Sequence, residues 1–237
     1  MDIGHWSLDI GIVISLYRYF VISLFVDCIP FNKEGLKKAV AILKNGGVIA
    51  HPADTCYGLA GDLMNPKVLK KIQAIKGRTE TKPMSIMLPA FMKSDIEKYA
   101  KLDEFSSSVC ENILPGPVTI VLQKNNLIPA HFFPETSFVG IRIPYDIVTE
   151  GILTAFGGPL ITTSANISGI SPCSTCKECM EIFKDKENQP DILFEGAIRN
   201  ACMPSTVIKI EDGKIRLLRE GPMKKKQIEG ILGVKIA

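Results

Sequence analysis

Residues 34–62 read EGLKKAVAILKNGGVIAHPADTCYGLAGD, and this stretch indicates the fold class. Its first apolar residues recur at helical spacing and predict a helix over Glu34–Asn45. The Gly46-Gly47 pair ends that helix, and the apolar run that follows predicts a short buried strand over Val48–His51. A helix followed at once by a buried strand is typical of a layered domain in which helices cover a sheet.

The same alternation of helices and strands continues to the C-terminus. Further helices are predicted over Pro66–Ile75, Lys93–Ala100, Glu104–Ile113, Ile147–Phe156, Cys176–Phe183 and Lys224–Leu232. Further strands are predicted over Ser85–Leu88, Val118–Leu122, Phe138–Ile143, Leu160–Thr163, Thr206–Ile210 and Ile215–Leu218. The pattern predicts a single α/β, or α+β, domain over residues 24–237, preceded by an apolar N-terminal extension over residues 1–23.

The composition is that of an ordinary globular protein. Of the 237 residues, 46% are hydrophobic and 22% are charged. The formal net charge of +3 is too small to indicate a nucleic-acid-binding protein by itself. Basic residues are concentrated between residues 67 and 82 and again over Lys224–Lys226. These clusters are compatible with a local anion-binding surface.

The N-terminal segment Ile10–Val26 is apolar apart from Ser15, Arg18 and Ser23. It is somewhat shorter than the roughly 20 residues that a membrane-spanning helix needs, and the residues before it are not basic as in a signal peptide. Three interpretations stay open: an extension or misassigned start that leads into a first strand, a membrane-associated segment, and a degenerate targeting peptide. Membrane contact through residues 10–26 therefore stays open as well.

The seven cysteines do not form the even, spaced set of a small secreted disulfide protein. We therefore expect reduced thiols in a cytoplasmic enzyme. Cys173, Cys176 and Cys179 share one short segment, which is compatible with iron–sulfur or zinc ligation if another ligand such as Cys202 joins them. Cysteines that coincide at a helix start are the simpler interpretation, and we assign no metal to them.

Two motifs place polar and basic groups directly after regular elements. Lys76 and Arg78 flank a glycine after a predicted helix, with Lys82 close by, and cations this close together favour an anion such as phosphate between them. Ser164 and Asn166 follow an apolar strand and can hydrogen-bond phosphate or ribose oxygens. Taken alone, the first motif also fits a solvated basic turn at a helix end, and the second fits an ordinary serine-rich turn.

Further candidates are polar residues at or near other strand ends, where loops present ligand-binding groups. They are Thr55, Thr119, Ser205 and Arg219. Arg142 differs because it lies inside an apolar strand. A buried guanidinium needs an anionic or polar partner, so Arg142 is expected either in a structural ion pair or facing a ligand.

The order of the motifs is more specific than any one of them. GGVIAHPADTCYGLAGD (46–62) is followed by IKGRTETKPMSIML (75–88), LPGPVTIVL (114–122), VGIRIP (139–144), PLITTSANISG (159–169), STVIKI (205–210) and LLREG (217–221). Together they closely resemble the YrdC family of threonylcarbamoyl-AMP synthases, over about residues 32–222. The family signature, K-x-R with S-x-N, is met by Lys76-Gly-Arg78 and Ser164-Ala-Asn166.

The resemblance implies a YrdC/RibB-like twisted mixed β-sheet flanked by helices, with an open, concave, basic face. It implies a nucleotidyltransferase that converts L-threonine, bicarbonate and ATP, with Mg²⁺, into L-threonylcarbamoyl-AMP and pyrophosphate. A threonylcarbamoyl-transferase complex would then use this product to modify an adenosine in tRNA. Direct contact with tRNA stays open, and a cytoplasmic location is expected.

The resemblance also implies residue roles. The implied catalytic residues are Lys76, Arg78, Ser164 and Asn166. The implied ATP-binding residues are the same four together with Lys82, Thr119 and Arg219. The implied residues for threonine and carbamate are Thr55, Arg142 and Ser205.

One departure and two other functions stay open. Ala53 stands where the family usually has threonine, which leaves the choice of amino acid open. A carbamoyl-adenylate-forming, carbamoyltransferase-type domain is disfavoured because such enzymes carry further domains. A non-catalytic RNA-binding module is disfavoured because base-stacking aromatic residues are not interleaved with the basic residues at 67–82.

Overall fold

The structure is a computed structural model that describes residues 26–77, 84–132, 136–196 and 202–237. Its helices in these ranges are α1 (Lys33–Lys44), α2 (Pro66–Ile75), α3 (Ile96–Tyr99), α4 (Glu104–Ile113), α5 (Ile147–Phe156), α6 (Cys176–Phe183) and α7 (Lys225–Leu232). Its strands are β1 (Asp27–Ile29), β2 (Val48–His51), β3 (Gly58–Asp62), β4 (Ser85–Met87), β5 (Val118–Gln123), β6 (Phe138–Arg142), β7 (Leu160–Ser164), β8 (Ile192–Phe194), β9 (Thr206–Glu211) and β10 (Lys214–Arg219). Short 3₁₀ turns occupy Ala90–Asp95 and Ala130–Phe132.

Local sequence signals set the ends of α1 and α5. The Asn32 side chain caps α1 by accepting a backbone N–H bond, as N-cap residues do. Asp146 Oδ1 accepts N–H bonds from Val148 and Thr149, at 3.0 and 2.9 Å, and so caps α5. That helix ends at Gly157, whose φ of 78° is the left-handed value that glycine adopts readily.

The described strands form one mixed sheet in the order β1-β8-β2-β3-β7-β4-β6-β5-β9-β10. The sheet contains parallel pairs, such as β4 with β6 and β5 with β9, and antiparallel pairs, such as β2 with β3 and β3 with β7. This confirms the expected mixed sheet flanked by helices. The order shows that distant parts of the chain become neighbours in space, which brings loops from both halves of the sequence to one region.

Helices cover both faces of this sheet. On one face, which we call the α1 face, α1 and α5 bury an apolar cluster that includes Ile49, Ala60, Met87 and Leu160. On the opposite face, α2, α4, α6 and α7 contribute to a larger apolar cluster. Because side chains alternate across a strand, the two clusters draw on alternate residues of the same strands.

The remainder of the α1 face is polar. Directly opposed residues in neighbouring strands point to the same face, and the register opposes His51 to Gly58 and Gly58 to Ser164. The next row opposes Ser85 to both Thr162 and Gly140. Because side chains alternate along each strand, hydroxyl and imidazole groups lie together on the α1 face. They lie beside the apolar part of that face, which is covered by helices.

The predicted elements lie where the structure has them, within a few residues at each end. β3 and β8 were not predicted, and β1 was expected only as a first strand without bounds. β3 contains Gly58 and Gly61, and glycine is depleted in strands because it packs poorly and is conformationally flexible. Pairing with β2 on one side and β7 on the other holds β3 in place, and this pairing is not visible in its own sequence.

The proposed extension over residues 1–23 lies outside the described residues. The structure describes the chain from Val26, which packs into the larger apolar cluster just before β1. None of the helices in the described ranges is long and apolar enough to cross a membrane. The membrane interpretation of residues 10–26 concerns, apart from Val26, residues outside those ranges.

Gly61 allows α2 to approach β3 closely, and this predicts a specific packing cost. A side-chain carbon at Gly61 would lie 2.4 Å from Cγ1 of the buried Val68. Gly61→Ala should therefore lower the free energy of unfolding by about 1–3 kcal/mol, the usual cost of overpacking. Denaturant unfolding measures this change.

The same substitution should cost much less in a Val68→Ala background, because the clashing methyl groups are gone. Gly230→Ala on α7 is the matched control, since a side chain there meets no atom within 4 Å and should stabilise the helix by up to about 1 kcal/mol. Equal costs of Gly61→Ala in both backgrounds would show that the contact between α2 and β3 is not the cause.

Candidate active site

A cavity of about 170 Å³ opens on the polar part of the α1 face. Several strands and the loops that follow them line it. Among the lining residues are His51, Thr55, Ser85, Thr119, Arg142 and Ser164. The volume is below the roughly 300–1,000 Å³ of common ligand pockets. The enclosed part therefore suits a ligand of amino-acid size, with larger groups extending beyond it.

Two glycines let polar side chains on neighbouring strands approach each other. Gly58 lines the cavity, and a side-chain carbon there would lie at contact distance, 3.4 Å, from Nε2 of His51 and from Oγ1 of Thr162. At Gly140 a side-chain carbon would lie 2.8 Å from Cγ2 of Thr119 and 3.2 Å from Oγ of Ser85, so a larger residue there would displace two residues that line the cavity.

Arg142 is the buried cation of the cavity and is only 7% exposed. Its Nη1 donates to Oγ1 of Thr55 at 3.1 Å, and its Nη2 forms an ion pair with Asp54. Its Nε has no hydrogen-bond partner among the described residues. Arg142 therefore has the structural carboxylate partner of the first expectation, and it also lines a cavity.

Ser205 connects two other predicted residues. Its hydroxyl lies 2.8 Å from Oγ1 of Thr119. Its carbonyl oxygen accepts a bond from Nε of Arg219 at 3.0 Å, and Nη2 of Arg219 lies 3.3 Å from the Ser205 hydroxyl. The parallel pairing of β5 with β9 creates this junction, so residues more than 80 positions apart in sequence form one polar group.

Lys76 joins the two signature motifs into one unit. Its Nζ donates to the carbonyl oxygen of Ser164 at 2.7 Å, and to Oδ1 and the carbonyl oxygen of Asn166 at 2.8 and 3.2 Å. The hydroxyl of Ser164 donates to the same Oδ1 at 2.6 Å. Lys76 and Asn166 are buried, while Ser164 lines the cavity. The ammonium group thus fixes the loop that presents Ser164.

The structure brings the predicted site residues that it describes into one region. Thr55, Thr119, Ser164, Arg142, Ser205 and Arg219 line the cavity. Lys76 and Asn166 lie directly beneath Ser164. Arg78 and Lys82 lie outside the described residues, and their roles stay predictions.

Sequence reasoning missed His51 as a site residue. It is 1% exposed, and its Nδ1 lies 2.9 Å from the carbonyl oxygen of Pro52. A carbonyl oxygen only accepts, so Nδ1 carries the proton and Nε2 is a bare acceptor, with no partner among the described residues. The available signal was an imidazole that closes an apolar strand immediately before a polar loop.

The cavity favours anions. Burial lowers the pKa of the Arg142 guanidinium, and the carboxylate of Asp54 opposes this effect. Arg219 stands at the solvent-exposed edge; partial burial of its guanidinium lowers its pKa, and repulsion from Arg142 lowers it further. Because these two cations repel each other, an anion placed between them would stabilise both.

The cysteines near the cavity are paired. The structure joins Cys28 to Cys176, Cys56 to Cys202 and Cys173 to Cys179, and leaves the buried Cys110 without a disulfide. The expectation of reduced thiols is therefore wrong for these six. Two of the pairs are 146 and 148 residues apart in sequence, a proximity that spacing along the chain does not reveal.

The cysteine triplet at residues 173–179 is not a metal site in this structure, since all three sulfurs are used in disulfides. Within the described ranges no group of three or more histidine, cysteine, aspartate or glutamate residues could hold a metal ion. The Cys56–Cys202 bond instead ties the loop that carries Thr55 to the segment that leads to Ser205.

Comparison with known proteins identifies relatives over most of the chain. The Sua5/YciO/YrdC family model, described as "Telomere recombination", matches residues 41–221. A Methanocaldococcus jannaschii protein, provisionally named threonylcarbamoyl-AMP synthase, is 37% identical over 194 residues, which are 80% of this chain and 89% of that protein. The threonylcarbamoyl-AMP synthase of Homo sapiens is 33% identical over 195 residues, 79% of this chain and 67% of that protein.

A solved structure has the same fold. The structure of Pyrococcus abyssi Sua5 complexed with L-threonine matches with a TM-score of 0.78 and 25% sequence identity. The match covers 87% of this chain and 60% of that one. This chain therefore spans about three fifths of the length of the Pyrococcus abyssi protein.

The buried His51 predicts a loss of stability in mild acid. Burial lowers the pKa of His51 below its usual 6.5, so below about pH 6.5 the unfolded chain binds a proton that the folded chain excludes. The free energy of unfolding should therefore fall as the pH is lowered from about 6.5 toward the depressed pKa. Denaturant titrations across this interval measure the slope.

His51→Phe should remove this part of the slope, because the phenyl ring keeps the shape of the site without a titrating group. If the free energy of unfolding fell equally in the wild type and in His51→Phe between about pH 6.5 and 5, the depressed pKa of His51 would not be the cause.

Proposed function

The chain belongs to the Sua5/YciO/YrdC family, and we propose that it is a threonylcarbamoyl-AMP synthase, a nucleotidyltransferase that uses L-threonine, bicarbonate and ATP. Its products are L-threonylcarbamoyl-AMP, pyrophosphate and the water that is released when bicarbonate forms the carbamate. The observation that carries this proposal is the convergence of Arg142 and Arg219 on a cavity of amino-acid size that borders the Ser164 loop. A small anionic substrate fits the cavity, and a phosphate fits the polar loop beside it.

The proposed amino-acid site lies around Arg142. Its ion pair with Asp54 and its bond to Thr55 fix the guanidinium plane, and its unpartnered Nε is a donor for the substrate carboxylate. The Ser205 hydroxyl, held by Thr119 and Arg219, is placed to contact the carbamate or the nucleotide. The proposed threonine and nucleotide subsites therefore meet at Ser205.

The proposed phosphate site lies around Ser164 and Asn166. The carbamate oxygen has to approach the α-phosphorus of ATP in line with the leaving pyrophosphate, so alignment of two anions is the main task of the protein. Lys76 holds the loop that presents Ser164 through its three bonds to residues 164 and 166. Arg78 and Lys82 are proposed to neutralise the triphosphate.

Among the described residues, no group of three or more histidine, cysteine, aspartate or glutamate side chains could bind Mg²⁺. Mg²⁺ commonly keeps several waters and binds through substrate phosphates. We propose that it accompanies ATP, and we assign no protein ligand to it.

The wider setting follows from the proposed product. Threonylcarbamoyl-AMP is a mixed anhydride, so a threonylcarbamoyl-transferase complex would receive it and modify tRNA. We propose that this takes place in the cytoplasm. Direct contact with tRNA and contact with a membrane through residues 10–26 are separate proposals that the chemistry of the cavity does not require.

The proposed activity predicts amino-acid-dependent pyrophosphate release. Purified protein with ATP, Mg²⁺ and bicarbonate should release pyrophosphate when L-threonine is added, and the product should contain threonine, carbon dioxide and AMP in equal amounts. Release with carbamoyl phosphate alone would favour the carbamoyltransferase alternative. Salt-dependent RNA binding without any turnover would favour the RNA-binding alternative.

Arg142→Lys should lower kcat/KM for threonine at least about tenfold, because an ammonium group cannot bond Asp54, Thr55 and a carboxylate in one plane. Arg216→Lys on the exposed side of β10 is the matched control and should stay within about twofold. Equal losses in both variants would argue against a specific role for Arg142.

Arg78→Ala should lower turnover by at least about a hundredfold while leaving the fold intact, because a positive charge next to the phosphates is lost. Lys70→Ala removes a charge from the same basic stretch at an exposed position of α2 and should retain activity. Near-full activity of Arg78→Ala, with its folding confirmed by circular dichroism, would contradict the assignment.

A further inference from the structure

Two buried polar atoms on the cavity wall have no partner among the described residues. They are Nε2 of His51 and Nε of Arg142, and both residues line the cavity. Burial of an unpaired polar atom costs folding free energy, so such atoms are rare unless a ligand or water completes them. Because both residues line the cavity, a ligand bound there can provide the missing partners.

The two atoms have opposite hydrogen-bonding character. Nδ1 of His51 donates to the carbonyl oxygen of Pro52 at 2.9 Å, which leaves Nε2 as an acceptor. Nε of Arg142 is a donor. An amino acid offers the complementary pair, an amino group that donates and a carboxylate that accepts.

The space beside His51 favours an amino group over a hydroxyl. The position of a side-chain carbon on Gly58 would be 3.4 Å from both Nε2 of His51 and Oγ1 of Thr162. Oγ1 of Thr162 donates its proton to the carbonyl oxygen of Leu59, so it faces this space with lone pairs. Two acceptors around one space match a group with several N–H bonds, whereas a hydroxyl has one O–H.

The same space leads toward the proposed phosphate site. His51, Gly58 and Ser164 stand opposite one another on three neighbouring strands. The strand spacing places the backbones of His51 and Ser164 about 10 Å apart across the position of Gly58. A nitrogen held at His51 therefore lies in the same row as Ser164, within about 10 Å of its backbone.

We infer that His51 is a further substrate-binding residue, whose Nε2 accepts a hydrogen bond from the amino group of the amino-acid substrate while Nε of Arg142 donates to its carboxylate. The inference rests on the proposed function. It assigns to His51 the positioning of the nitrogen that becomes carboxylated, and to Gly58, which has no side chain, the open approach to Nε2.

The surroundings keep His51 in the form that this role needs. Asp146 at the start of α5 and Asp54 after β2 favour the protonated imidazole, whereas Arg142 on β6 and burial disfavour it. Burial has the largest effect, and the pKa of His51 is lowered. The imidazole is therefore neutral, and Nε2 remains an acceptor near neutral pH.

Binding of three ligands to the full chain tests the inference. L-threonine has both groups, (R)-3-hydroxybutyrate lacks the amino group, and L-valine lacks the hydroxyl. Calorimetry should give a wild-type Kd for threonine at least about tenfold lower than for (R)-3-hydroxybutyrate. In His51→Phe this ratio should fall severalfold, with Oγ1 of Thr162 as the remaining acceptor, while the ratio between threonine and valine stays as in the wild type.

Two further variants separate recognition from folding. Gly58→Ala adds a methyl group at ordinary contact distance from its neighbours, so it should fold normally and yet weaken threonine binding at least about tenfold. His51→Gln offers an amide oxygen near the position of Nε2 and should recover part of the affinity that His51→Phe loses. Melting temperatures of all variants check that they are folded.

The outcomes are distinguishable. The inference would be overturned if threonine bound His51→Phe as tightly as the wild type. It would also be overturned if His51→Phe changed the ratio of Kd values between threonine and valine and left the ratio between threonine and (R)-3-hydroxybutyrate unchanged. If wild-type protein neither binds threonine nor releases pyrophosphate with it, the proposed function itself fails. Threonine-dependent pyrophosphate release in the wild type with undiminished binding in both His51→Phe and Gly58→Ala would leave the function intact and exclude this role of His51.

Discussion

The structure depends on how one face of a mixed sheet is divided. Side chains of alternate residues share a face, and α1 and α5 cover only the part of that face where these residues are apolar. On the other part the same alternation presents His51, Thr162, Ser164 and Arg142. The same strands therefore form two different parts of one face. The apolar part must be buried, and the polar part must be solvated or must bind a ligand.

Two buried cations serve this arrangement in different ways. The ammonium group of Lys76 bonds three oxygens of residues 164 and 166, so it stabilises the end of β7 and the loop that follows it. The guanidinium of Arg142 pairs with Asp54 and keeps Nε unpartnered on the cavity wall. The planar fork of arginine makes this division possible, since its donors point in fixed, different directions.

The sequence predicted those elements whose stabilising signal is local. Helices α1, α2 and α5 carry their own caps and apolar stripes, and their predicted bounds hold to within a residue or two. β3 was missed because it depends on neighbours on both sides and not on its own propensity. Two of the three disulfides were missed for a similar reason, since their cysteines are almost 150 positions apart and meet only after the strands pair.

The sequence by itself determined the mixed α/β class, the family resemblance and the identity of six of the cavity residues, because order and residue type are enough for these. Only the tertiary structure decided what each residue does with its hydrogen bonds. It directs Lys76 to the loop of Ser164, joins Thr119 to Ser205, and leaves Nε2 of His51 without a partner beside Gly58. The physical reason is that pairing and burial depend on which strands become neighbours, and strand order is a property of the whole chain.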